Sequence, residues 1–205
     1  MNTKKQTATQ HLFTNKQLRT LLVPIMVEQL LSSLMGTADT MMVSNVGSAA
    51  ISAVSLVDAI NILVIQALSA LAAGGAILCS QYLGSQNLKK AKRSAEQVLF
   101  VMLVLSCSLS LLCLIFRFPL LRLIFGTVDT DVMANSQIYF FFTLLSFPFI
   151  GLYDAGASIL RAQNNTKGPM TISILSNFLN IGGNAILIFV FGMGVAGAAI
   201  STLVS

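Results

Sequence analysis

Apolar residues in this chain come in long, nearly unbroken stretches separated by short polar segments. A helix that crosses a bilayer needs about 20 mostly apolar residues. By that measure residues 18–43, 49–82, 97–116, 136–160 and 169–191 each form a span, and a further apolar run begins at 194 and reaches the last residue, 205. The second stretch is longer than one crossing requires, which predicts tilt or projection beyond the bilayer, with Gly74-Gly75 as a place to bend. Residues 1–17 read as a polar tail. The pattern predicts an all-α, polytopic transmembrane helix bundle of about six helices, the last incomplete. Because the sequence stops inside an apolar run with nothing charged after Lys167, it reads as an N-terminal piece of a longer protein or a truncated gene product.

Composition agrees. Hydrophobic residues make up 55% and charged residues 9%, with a mean hydropathy of +0.82, whereas ordinary soluble domains carry about 25% charged residues. The net charge of +5 does not point to a nucleic-acid partner, because the basic residues sit in short clusters beside apolar runs, as membrane loops do. Lys4, Lys5, Lys16 and Arg19 precede span one, Lys89, Lys90, Lys92 and Arg93 follow span two, and Arg161 and Lys167 follow span four. Only Arg117 and Arg122 fall in the opposite loops. The excess of Lys and Arg marks the cytoplasmic side, so the N-terminus is expected inside and spans one, three and five run outward.

Against this background four acids stand out inside the spans: Glu28, Asp39, Asp58 and Asp154. An ionised group in hydrocarbon costs about 2.5–3.5 kcal/mol even on lenient insertion scales, and such residues default to function. At about 1.5 Å of rise per residue, Asp39 falls near the outer end of span one and Glu28 in its inner half. Eleven residues separate them, close to three turns, so both share a face. In span five, Asn177, Asn180 and Asn184 are spaced three and then four apart and form one stripe. Asn184 comes out near the level of Asp39, so an outer cluster of Asp39, Asn180 and Asn184 is expected.

Each residue also has a plain structural reading. Asp39 could reach water at the membrane edge. The asparagine stripe could serve interhelical hydrogen bonds, worth about 0.6 kcal/mol each. Glu28 is a substrate contact or a packing acid, Asp154 a cytoplasmic-edge residue near Arg161, and Asp58 is left without assignment. Tyr139 and Tyr153 fit interface anchors, and 89–93 a solvated loop. Cys79, Cys107 and Cys113 lack ligand spacing and read as small buried hydrophobes. His11, in the polar tail, offers no metal or catalytic site. Gly192, Gly194 and Gly197 match G-x-G-x-x-G without the preceding strand a dinucleotide fingerprint needs. They read instead as a tight turn followed by a small-residue face, Gly194, Ala198 and Thr202. Nothing in the sequence makes a positive case for an enzyme.

Five local patterns, in order, resemble a known family. They are Pro24-Ile25-Met26-Val27-Glu28-Gln29 with Gly36-Thr37-Ala38-Asp39 in span one, and Ser80-Gln81-Tyr82-Leu83-Gly84 closing span two. Then come Leu160-Arg161-Ala162-Gln163 through Pro169 after span four, the asparagines of span five, and Gly194-Val195-Ala196-Gly197 onward. Together they resemble the N-terminal lobe of multidrug and toxic compound extrusion (MATE) transporters over nearly the whole chain. The resemblance implies a fold of two pseudo-symmetric bundles of six helices around a cavity that opens alternately to each side. It also implies export of small organic, often cationic, compounds in exchange for H+ or Na+. Carried over by motif, the coupling site would be Asp39, Asn180, Asn184 and Thr202, with Asn177 and Glu28 as further polar candidates and Na+ possible on Asp39, Asn180 and Asn184. Some members carry an acid where this chain has Asn184. No cofactor beyond the coupling ion is implied. The expected partners are the bilayer of a cell (plasma or inner) membrane, the exported compound and a C-terminal lobe outside this sequence. A lipid-linked oligosaccharide flippase of the same superfamily is the alternative, disfavoured because the spans hold almost no Lys or Arg for a pyrophosphate. A non-transporting fragment is the reading from a different class.

Overall fold

The computed structural model describes residues 15–205, and among them there is no strand. His11, Lys4, Lys5 and most of the expected tail lie outside the described residues. Seven α-helices follow one another: α1 (Asn15–Ser44), α2 (Ser48–Gly84), α3 (Leu88–Ile115), α4 (Arg117–Phe125), α5 (Thr130–Ala162), α6 (Lys167–Asn184) and α7 (Gly194–Val204). A π-helical segment, Ala185–Val190, continues α6. Among the described residues, five helices are long and apolar enough to cross a membrane. The outer surface is apolar too, with Leu123, Val190 and Phe178 more than 70% exposed, as suits lipid or another lobe rather than water.

Two differences from the sequence reading concern the connections. The basic run Lys89–Arg93 is not a solvated loop. α3 starts at Leu88, and the Asn87 side chain accepts the Lys90 amide at 3.1 Å, capping its first turn. The lysines are exposed on that turn while Ala91 and Ser94 face inward, so helix and solvation are compatible. The segment with Arg117 and Arg122 is also helical: α4 starts with Pro119 in its first turn, buries Leu121 and stops at Gly126, whose φ of 62° suits a residue without a side chain. At nine residues it is too short to span.

Three helices, α2, α3 and α5, form the core around Phe140, Phe147, Met102 and Leu144. α1 lies against α6, and α7 joins that pair to α5. Small residues allow the crossings: a side chain at Gly75 would collide with Val98, at Gly151 with Ser106 and at Gly183 with Ser201, and one at Gly197 would press tightly on Leu187. Gly75 thus serves helix approach inside an α2 that is continuous from Ser48 to Gly84.

Both prolines inside long helices are answered by a neighbour. A proline removes the donor for the carbonyl four residues earlier, and in hydrocarbon that carbonyl needs another partner. Pro148 frees the Leu144 carbonyl, and the Ser110 hydroxyl of α3 donates to it at 2.6 Å. Pro24 frees the Thr20 carbonyl, and the Thr166 hydroxyl donates to it at 3.4 Å. α1 and α5 therefore run through their prolines as continuous helices.

Candidate functional site

The turns α1–α2 and α6–α7 lie at one end of the bundle, the turns α2–α3 and α5–α6 at the other. At the first end Asp39 of α1 is 6% exposed. The Asn184 amide of α6 donates to its carboxylate, and the same amide lies 3.2 Å from the Asn180 side-chain oxygen. Asn180 in turn donates to the Thr202 hydroxyl of α7 at 3.4 Å. Asn180 and Asn184 are fully buried, and the Asn184 side-chain oxygen has no partner. The helices are fixed beneath this chain of polar groups: Ser201 donates to the Asn180 backbone carbonyl at 2.8 Å, and the π-helical turn begins directly after Asn184. π-turns leave the regular ladder and recur at functional sites. Gly192 and Gly194, with φ of 64° and 56°, make the tight turn that starts α7 and brings Thr202 in.

Next to this lies a group that sequence reasoning left unassigned. The Tyr139 hydroxyl of α5 donates to Asp58 Oδ1 of α2 at 3.1 Å, and Asn61 donates to the same oxygen at 3.4 Å. Tyr139 is 3% exposed, so it is a buried hydrogen-bonding residue and not a membrane-interface anchor. A buried phenol needs an acceptor, and a carboxylate is the strongest on offer. Asp58 lies within electrostatic reach of Asp39.

Glu28 and Asn177 do not join this cluster. Asn177 donates to the Ser173 carbonyl one turn back along α6, at 2.8 Å. Glu28 belongs to the opposite end, where Arg161 Nη2 donates to its Oε1 at 2.6 Å and the Tyr153 hydroxyl donates to the same oxygen at 2.8 Å. Tyr153, like Tyr139, donates a hydrogen bond to an acid. Asp154, expected at the membrane edge beside Arg161, accepts from Ser69 of α2 at 2.6 Å, while the guanidinium goes to Glu28. Cys79 and Cys113 are buried as expected, but Cys107 is exposed on the outer side of α3.

The hydrogen-bonded acid, two carboxamides and hydroxyl offer oxygen atoms to a small hard cation or a proton. Their setting is an all-α bundle whose acids and asparagines in the spans are held between helices. The MatE family model matches residues 24–186, and the chain belongs to that family. It is 33% identical over 187 residues to "Uncharacterized transporter YisQ" of Bacillus subtilis, covering 89% of this chain and 40% of that protein. It is 28% identical over 197 residues to "Probable multidrug resistance protein NorM" of Thermotoga maritima, covering 93% and 41%. A solved structure described as the outward-facing conformation of a multidrug resistance MATE family transporter superposes with a TM-score of 0.85 at 26% identity, covering 92% of this chain and 42% of that one. The chain thus spans about 40% of the length of the curated relatives it matches, and its fold is that of one lobe of a two-lobe transporter.

Proposed function

We propose that this chain is the N-terminal lobe of a secondary active transporter that expels small organic, often cationic, compounds in exchange for H+ or Na+ by alternating access. Asp39 is the coupling group. Asn184, Asn180 and Thr202 complete its site with neutral oxygens, so a proton or one Na+ balances a single negative charge. The second lobe supplies the far wall of the cavity, and the protein sits in a cell membrane with its N-terminus cytoplasmic. Ion arrival at Asp39 changes which access state is lower in free energy, and that population shift drives release.

The observation that carries this reading is the buried Asp39 carboxylate held by Asn184 across two helices of a family-typical lobe. Support for export over lipid-linked sugar flipping comes from the relatives named for multidrug resistance and from the scarcity of basic residues inside the spans. The test is efflux by the complete transporter in proteoliposomes under an imposed proton or sodium gradient. Asp39→Asn is expected to remove gradient-driven efflux, and the gradient that drives the wild type identifies the ion. Undiminished gradient-driven efflux with Asp39→Asn would take Asp39 out of the coupling role.

A further inference from the structure

Charge balance singles out Asp58. Of the four acids inside the spans, Glu28 holds the Arg161 guanidinium at 2.6 Å, and Asp154 lies within electrostatic reach of the same group. Asp39 and Asp58 lie within reach of each other, and among the described residues neither forms an ion pair with a basic side chain. Charges taken out of water are kept where something of opposite sign meets them. Two acids at one end of the lobe without a protein cation therefore call for positive ligands.

The two acids are not equivalent. Asp39 is 6% exposed and closed in by Asn184, which suits a proton or a bare ion. Asp58 is only partly buried. Tyr139 and Asn61 both donate to its Oδ1, which fixes the carboxylate, and Oδ2 accepts from neither. Asn61 stands one turn further along α2, 6% exposed, with its side-chain oxygen unpartnered. The result is a charged acceptor oxygen free of protein donors, Asp58 Oδ2, with the buried, unpartnered Asn61 Oδ1 one turn away on α2, beside a phenol whose own proton is already committed. That is the chemistry that receives the N–H groups of an organic ammonium.

We propose that Asp58, oriented by Tyr139 and flanked by Asn61, holds the charged nitrogen of the exported organic cation, while Asp39 holds the coupling ion. This rests on the transport reading above and makes Asp58 the residue that selects for positive charge. Because the two sites feel each other's charge, a cation at Asp39 weakens binding at Asp58, which is the sign an antiporter needs.

The test is equilibrium binding to the complete, purified transporter of a fluorescent primary ammonium compound and of its neutral N-acetyl analogue. Asp58→Asn is expected to weaken the ammonium compound about tenfold, discounted for partial exposure, with the analogue's affinity kept. Asp58→Glu is expected to restore ammonium binding. Equal loss for both compounds, or loss for neither, overturns the assignment. If Asp58→Asn does not reach the membrane, Tyr139→Phe carries the test. It keeps the charge and removes one orienting hydrogen bond, so ammonium binding is expected to fall about threefold and the analogue's not at all. Equal or absent effects again overturn the assignment. A wild type that binds neither compound overturns the transport reading itself, an outcome distinct from selective failure at Asp58.

Discussion

The two ends of this lobe treat the same residue type in opposite ways. At the α5–α6 end, Glu28 is answered by the Arg161 guanidinium and the Tyr153 hydroxyl, and Asp154 by Ser69. At the α1–α2 end, Asp39 and Asp58 are met only by neutral donors, Asn184, Asn61 and Tyr139. An acid with a built-in counter-charge is neutralised within the protein, although Glu28 Oε2 and Arg161 Nε keep no partner, and the pair ties α1 to α5. An acid given only neutral donors is oriented but not neutralised, which is the basis for the cation-binding roles proposed for Asp39 and Asp58. The membrane sharpens the contrast, because water cannot supply what the protein withholds.

Several substitutions would break or sharpen this contrast. The largest effect is expected from Asp39→Asn, which should abolish gradient-driven efflux while leaving the melting temperature of the detergent-solubilised protein close to wild type. Next is Arg161→Met at the other end. It strands Glu28, and thermal or denaturant unfolding should show a loss of about 2–3 kcal/mol, reduced from the fully buried case because Arg161 is 30% exposed. Adding Glu28→Gln to Arg161→Met should recover part of that loss, since the two effects are coupled. Ser110→Ala leaves the Leu144 carbonyl freed by Pro148 without its donor and should cost about 1–2 kcal/mol, with the ion dependence of efflux unchanged. The smallest is Asn87→Ala, which removes the α3 cap for about 0.5–1 kcal/mol of unfolding free energy.

The approach of Asp39 to Asn184 was legible because both residues are placed by one-dimensional counting: depth from the rise per residue, and face from the three-and-four spacing of Asn177, Asn180 and Asn184. Asn177 shows the limit of that argument. It shares the stripe, yet its amide folds back on Ser173, a local choice that spacing does not encode. The pairings of Asp58 with Tyr139, Ser69 with Asp154 and Glu28 with Arg161 join residues 81, 85 and 133 positions apart. They depend on which helices are neighbours, and periodicity within a helix is silent on that. The same holds for Ser110 and Thr166, whose hydroxyls answer prolines on other helices. The α4 helix was missed because nine residues are too few to register as a span, and the basic start of α3 because solvated charge looked like loop.

The central proposal is that Asp39, one of the two acids without a basic partner, and not the ion-paired Glu28, carries the coupling ion. It is tested most directly by measuring efflux against the size of the imposed ion gradient for Asp39→Asn and Glu28→Gln side by side, at matched amounts of protein in the membrane. Efflux by Glu28→Gln is expected to keep rising with the gradient while efflux by Asp39→Asn no longer responds to it; the reverse pattern would remove Asp39 from that role.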